Sequence, residues 1–288
     1  MVNREVEYLK HLINYPSLVS AERNIDYLVS DEFFIRNREV EINCNKLAAA
    51  GLDCDDGLIE RIKANLVLRD LTFLLMAGKD NSSLDFENSE YNFNFPEGFD
   101  FSESTLFLGT HDYFQLVNSL QLASFGHAMS AFAISPDTVS DPFINELMKK
   151  VYGNIESALN GGTVFLVGGN EKPAEARMMR SFFARVARGE NMAVAIDICY
   201  PGAPEAFWVD GRFGRYRLLD GVVNTLLDAG YKVCFGNTRR ENGRYECYLK
   251  YIEGSTISEI LEGYVKLLEE RLVADPAGWE GIKQLEVV

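Results

Sequence analysis

The chain has 288 residues, 47% apolar and 25% charged, which suits one large or two modest globular domains with their own cores. Its formal net charge of −15 repels phosphate backbones and anionic headgroups, so neither nucleic acid nor a membrane surface is expected as main partner. No stretch reaches the roughly 18 apolar residues of a membrane span, the first residues lack the apolar run of a signal peptide, and a cytoplasmic location is expected.

Residues 1–78 carry helical patterns and no convincing strand. Val6, Leu9, Leu12 and Ile13 form a short apolar stripe ending at Pro16. A longer helix is expected to begin near Asp56, with Leu58, Ile59, Ile62 and Leu66 apolar and Gly78 suited to its end. Leu71–Ala77 reads as its continuation in preference to a buried strand. Residues 79–103 mix acidic and small polar residues with Phe86, Tyr91, Phe93, Phe95, Phe99 and Phe101. They read as a linker docked by its aromatics, or as a lid across a cleft.

From residue 104 to 288 the pattern alternates between strand and helix. Strands are expected at Thr105–Gly109, Met129–Ser135, Thr163–Val167, Met192–Cys199, Tyr231–Gly236 and Arg244–Ile252. Asn242-Gly243 is a strong two-residue hairpin signal, so the last strand should run antiparallel. Leu218, Leu219, Val222, Val223 and Leu226 mark a helix, and Thr256 and Glu259 have capping-box spacing before a terminal one. The expected fold is α/β: a Rossmann-like, mostly parallel sheet ending in an antiparallel hairpin strand, preceded by an N-terminal helical domain.

Ligands of such sheets bind at the carboxyl ends of the strands. Those ends carry Gly109, Thr110, His111, Asp112 and Tyr113; Ser135, Pro136 and Asp137; and Gly168, Gly169, Asn170 and Glu171. His111 suits a general base because imidazole titrates near neutral pH, with Asp112 fixing its tautomer or capping the next helix. Glu171 suits a substrate amine, although the same loop also reads as a tight turn leading to Pro173. Asp197 sits inside the apolar run AVAIDICY and must be paired or face polar space.

The five cysteines (Cys44, Cys54, Cys199, Cys234 and Cys247) show no metal spacing; the last three fall in expected strands as small apolar residues, which points to a reducing compartment. With three histidines and no common ligand motif, no dedicated metal site is expected. GxSxG, P-loop and HExxH motifs are absent.

Three stretches, TLFLGT, FGHAMSAFAISPD and LLDAGYKVCFGN…GRYECYLKYI, resemble class I S-adenosylmethionine-dependent methyltransferases. The N-terminal helices together with TVFLVGG and MAVAIDICYPGAPEAFW are also similar to nicotianamine synthases. The resemblance implies S-adenosylmethionine as cofactor, held by Gly109, Thr110, Ser135, Pro136, Asp137, Gly168, Gly169 and Asn170. It implies methyl or aminocarboxypropyl transfer to a small metabolite, with His111, Asp112, Tyr113 and Glu171 as catalytic candidates, and leaves a homodimer open. Of the family's glycine-rich loop only Gly109 is present, with His111 and Tyr113 where further glycines stand. A Rossmann-like binding or regulatory protein without catalysis is therefore the alternative.

Overall fold

The computed structural model describes residues 4–78, 91–113, 115–168, 172–199, 206–241 and 243–287. Five helices come first: α1 (Arg4–Leu12), α2 (Leu18–Glu22), α3 (Ile25–Leu28), α4 (Asn37–Ala49) and α5 (Asp56–Gly78). α5 opens where Asp55 Oδ1 accepts the Leu58 N–H at 2.8 Å. Leu71–Ala77 continues it as helix, and the Thr72 hydroxyl bonds back to the Leu68 carbonyl one turn earlier. Leu58, Ile62, Leu66, Val67, Leu71, Leu74 and Met76 are all buried, since α5 is enclosed on several sides. Its end meets the later helix Pro142–Ala158, where Asn154 Nδ2 donates to the Met76 carbonyl at 2.7 Å.

The remaining elements are β1 (Tyr91–Asn94), β2 (Thr105–Gly109), α6 (Gln115–Ala123), β3 (Met129–Ile134), α7 (Pro142–Ala158), β4 (Val164–Val167), α8 (Lys172–Val186) and β5 (Asn191–Ala195). They continue with β6 (Phe207–Asp210), β7 (Arg215–Leu218), α9 (Gly221–Asp228), β8 (Lys232–Glu241), β9 (Arg244–Tyr251) and α10 (Ile257–Ala274). Seven strands form one sheet in the order β1-β9-β8-β2-β5-β3-β4, while β6 and β7 pair separately. β8 and β9 are antiparallel, as the Asn242-Gly243 signal predicts, and Gly243 has φ of +78°. The capping box at Thr256 and Glu259 is formed. One continuous apolar core runs from Tyr8 through the sheet to Leu285.

The fold is Rossmann-like in its layers and its mostly parallel sheet, but its strand order has one exchange. Counting β2, β3, β4, β5 and β8 as first to fifth, a Rossmann sheet has the order 3-2-1-4-5. Here β5 lies between β2 and β3, giving 3-2-4-1-5. Two short strands, β6 and β7, were not expected, and the helix expected from Leu218 starts later: Leu218 ends β7, and α9 begins only at Gly221. β1 was also unexpected, pairing parallel with β9 along the sheet edge.

Within residues 91–103 the aromatics dock the segment. Phe95 stacks on Phe99, Phe99 meets Phe101 edge to face, and Phe101 lies on His127 with ring centres 4.9 Å apart. Phe86 lies outside the described residues. Cys44 and Cys54 are joined as a disulfide with Cα atoms 5.7 Å apart, a pairing the cysteine pattern did not suggest. Cys199, Cys234 and Cys247 are buried thiols. Among the described residues no helix is long and apolar enough to cross a membrane, and no three potential ligands cluster for a metal.

Candidate functional site

The end of β2 enters the site through a row of tethered residues. The Tyr264 hydroxyl on α10 donates to the Gly109 carbonyl at 3.0 Å. Burial, with Asp197 and Asp112 nearby, pushes the Tyr264 phenol far above its ordinary range, so it stays a donor. Asn237 Nδ2 donates to Thr110 Oγ1 at 2.9 Å, and Thr110 Oγ1 donates to Asp112 Oδ2 at 3.2 Å. Asp112 Oδ2 also accepts the Thr238 N–H at 2.8 Å, so this carboxylate secures β8 to the β2 exit.

His111 lies between these anchors, and its partner is Asp197 instead of Asp112. Its Nδ1 is 2.7 Å from Asp197 Oδ1, and its backbone N–H meets both carboxylate oxygens at 3.0 and 2.9 Å. The neighbouring strand supplies this partner: β5 runs directly beside β2, as the fourth strand of a Rossmann sheet does beside the first, and delivers Asp197 just past its end. Trp279 Nε1 donates to Asp197 Oδ2 at 2.6 Å. The Asp197 side chain is 1% exposed and that of His111 21%. A carboxylate fixed by three donors favours the tautomer with hydrogen on Nδ1, leaving the Nε2 lone pair for a proton. Among the described residues no hydrogen bond is made to Nε2.

The clamp on this pair comes from the C-terminal segment. The Glu280 N–H donates to the His111 carbonyl at 2.9 Å. Gly281 leaves the room that Trp279 needs: a Cβ there would strike the indole and lie 2.8 Å from Asp197 Oδ2. Gln284 Oε1 accepts the Cys199 N–H at 2.8 Å, closing the turn after Asp197. Glu280 is held in turn by Arg69 at 2.7 Å and Lys283 at 2.9 Å. Burial alone would raise the Glu280 carboxyl, yet Arg69 and Lys283 bring it below the ordinary glutamate value. Arg69 and Arg36 both bind the buried Asp70 of α5, so the N-terminal helices buttress the clamp.

His111 and Thr110 form part of the wall of a cavity of about 440 Å³ at the carboxyl ends of β2, β5 and β3. Ala131, Ala133, Ala193 and Ala195 create its space by being small, and Phe132, Phe182 and Ile155 close it. Polar contributions are few: Thr110, His111, Asn118, Ser119, Asp220 and Thr225, with Tyr152 at one wall. A mostly apolar hollow with a few convergent polar groups has the character of a small-molecule site.

The other expected residues fall elsewhere. Tyr113 is buried under the N-terminal helices, where its hydroxyl accepts from Asn43 Nδ2 at 3.1 Å. Ser135 and Pro136 are buried and Asp137 is exposed; Ser135 Oγ caps a short 3-10 turn through the Asp137 N–H, and none of the three lines the cavity. β5 separates their turn from the β2 exit. Gly168 ends β4 in an exposed turn with φ of +80°, next to Val167 of the cavity wall. Gly169, Asn170 and Glu171 lie outside the described residues. Trp279 and Asp220 had no distinguishing pattern in the sequence; only the lone acid in AVAIDICY gave a signal for Asp197.

The chain matches no family model, and no curated protein matches it.

Proposed function

We propose that this protein is an acid–base transferase in which His111, oriented by Asp197, takes the proton from an acceptor hydroxyl or amine. The observation carrying this reading is the 2.7 Å contact between His111 Nδ1 and a fully buried carboxylate, on the wall of a mostly apolar cavity. Positioned bases of this kind contribute about 10²–10⁴-fold to rate. No cysteine lines the cavity, and the Thr110 hydroxyl is committed to Asp112 and Asn237. A direct transfer without an enzyme-bound intermediate fits that inventory. The acceptor loses its proton to Nε2, its oxygen or nitrogen bonds the transferred carbon, and the leaving group departs with the donor's electron pair.

The apolar walls favour a donor whose transferred group is hydrocarbon-like, such as an acyl thioester. A second reading keeps S-adenosylmethionine as donor of a methyl or aminocarboxypropyl group. It is supported by Gly109 at the cavity wall below the β2 exit and by a volume adequate for an adenosine. It is weakened by the position of Ser135–Asp137 outside the cavity, which leaves Asp220 as the lining acid for a ribose.

Calorimetric titration with an octanoyl thioester and with S-adenosylmethionine separates the two. Saturable heat with one donor, followed by His111→Gln that binds but does not turn over, supports the matching reaction. Absence of heat with both at about millimolar ligand removes both donors and leaves the binding-protein alternative.

A further inference from the structure

Helix α8 borders the cavity, and only part of its circumference is covered. Phe182 is 3% exposed and lines the cavity, while Arg185 is committed to Glu190 at 2.8 Å and to the Gly161 carbonyl at 2.9 Å. Those two side chains mark the inward face. Met179 and Phe183, one turn apart, stand beside it at 39% and 51% exposure. Met179 belongs to the cavity wall, and the Phe183 ring centre lies 5.2 Å from that of Phe182. The exposed apolar pair is thus continuous with the rim of the cavity.

The next strip around the helix carries charge of one sign. Arg177 and Arg180 are exposed. Arg188, two residues past the helix end, has a side chain 64% exposed with Glu190 at 3.6 Å. From Ala176 to Arg188 the chain has four arginines and no acid, a local reversal in a chain of net charge −15.

We propose that this face of α8 docks the protein on an anionic lipid bilayer, with the cavity rim turned toward the lipid. The inference rests on the reading of the cavity as a site for a hydrocarbon-like group, and it gives that group a bilayer as its source. Apolar side chains beside an arginine row are what an interfacial helix presents: the first enter the acyl boundary, and the second meet lipid phosphates. A purely acidic soluble partner would satisfy the arginines alone, whereas a bilayer meets both strips at once. The remaining surface is acidic on balance and is repelled by the same headgroups, so contact is confined to α8 and the molecule is held in one orientation.

The test is flotation of the full chain with vesicles of phosphatidylcholine alone and of phosphatidylcholine mixed with phosphatidylserine. Expected are binding to the mixed vesicles only, weakening as salt is raised, and an affinity lower by about tenfold or more in Arg177→Gln/Arg180→Gln. Phe183→Gln should also weaken binding while keeping its salt dependence, because it removes the inserted ring and no charge. Thermal midpoints of both variants should stay at the parent's, since all three side chains are exposed. His111→Gln should dock as the parent does, so this surface and the acid–base chemistry fail separately. No binding to mixed vesicles at about millimolar lipid, equal binding to neutral ones, unchanged affinity in R177Q/R180Q, or capture of soluble poly-glutamate in place of vesicles would each overturn the proposal.

Discussion

Trp279 Nε1 meets Asp197 Oδ2 at 2.6 Å, so an indole from the C-terminal segment holds the acid that orients His111. Replacing Trp279 by Phe keeps an aromatic ring but deletes a donor to a carboxylate. A hydrogen bond to a charged group is worth about 1.5–3 kcal/mol, and stability in urea should fall by roughly that amount. Unfolding midpoints identical to the parent's would show that the indole N–H contributes nothing.

His111 and Asp197 should differ in the size of their effects on stability. His111→Gln removes the base together with one donor to Asp197, so turnover should fall by about 10²–10⁴-fold and stability by about 1.5–3 kcal/mol. Asp197→Asn should cost turnover similarly and also destabilise the fold, because three donors then face a neutral amide. Nitrogen-detected NMR of the imidazole reads the tautomer directly: hydrogen on Nδ1 is expected in the parent, with a mixed population in Asp197→Asn.

Filling the cavity tests its role without altering the dyad. Ala195→Leu places a larger side chain among the lining residues. Overpacking is expected to cost about 1–3 kcal/mol and to abolish binding of whichever donor the parent binds. Donor affinity that survives in Ala195→Leu would put the ligand elsewhere.

Acid sensitivity follows from Glu280. Arg69 and Lys283 hold its carboxyl below the ordinary glutamate value against the opposing effect of burial. A depressed carboxyl stabilises the folded chain above the unfolded value, and that stabilisation disappears as pH falls through the folded value. Glu280→Gln should therefore be less stable than the parent at pH 7, by on the order of 2 kcal/mol. The gap should narrow as pH falls below the ordinary glutamate range and close once pH has passed the folded value. Parallel pH–stability curves for the two proteins would remove the assignment.

Burial raises the Cys234 and Cys247 thiols to about 12 and also pushes Cys199 upward. At pH 8 the thiolate fraction at the first two is then about 10⁻⁴. Native protein should resist iodoacetamide at these positions, and denatured protein should label at both, as peptide mass spectrometry would show.

Strands β2, β3, β4, β5, β8 and β9 were legible in the sequence because apolar runs between turn residues mark buried strands. Leu71–Ala77 was legible as helix because the stripe from Leu58 continues into it. Lateral order was not legible: the runs LFL of β2 and MAVA of β5 are apolar throughout, so nothing in them says which lies beside which. That gap decided the site. Asp112 is the nearest acid in the chain to His111, and in the Rossmann order β3 lies beside β2, which makes Ser135–Asp137 the turn next door. Asp197 announced itself only as a charge in an apolar run, and Trp279 as nothing beyond an aromatic near the end.

The interposed position of β5 also bears on how the chain acquires its shape. β2, formed by residues 105–109, is flanked in the finished sheet only by residues 191–195 and 232–236. During synthesis this central ribbon leaves the ribosome long before either neighbour exists, with its backbone donors and acceptors unclaimed. Such distant pairings slow folding and lengthen exposure to aggregation. Assembly of the sheet centre is thus deferred until residues 232–236 have been made, and a chain stopped short of residue 232 has no complete set of neighbours for it.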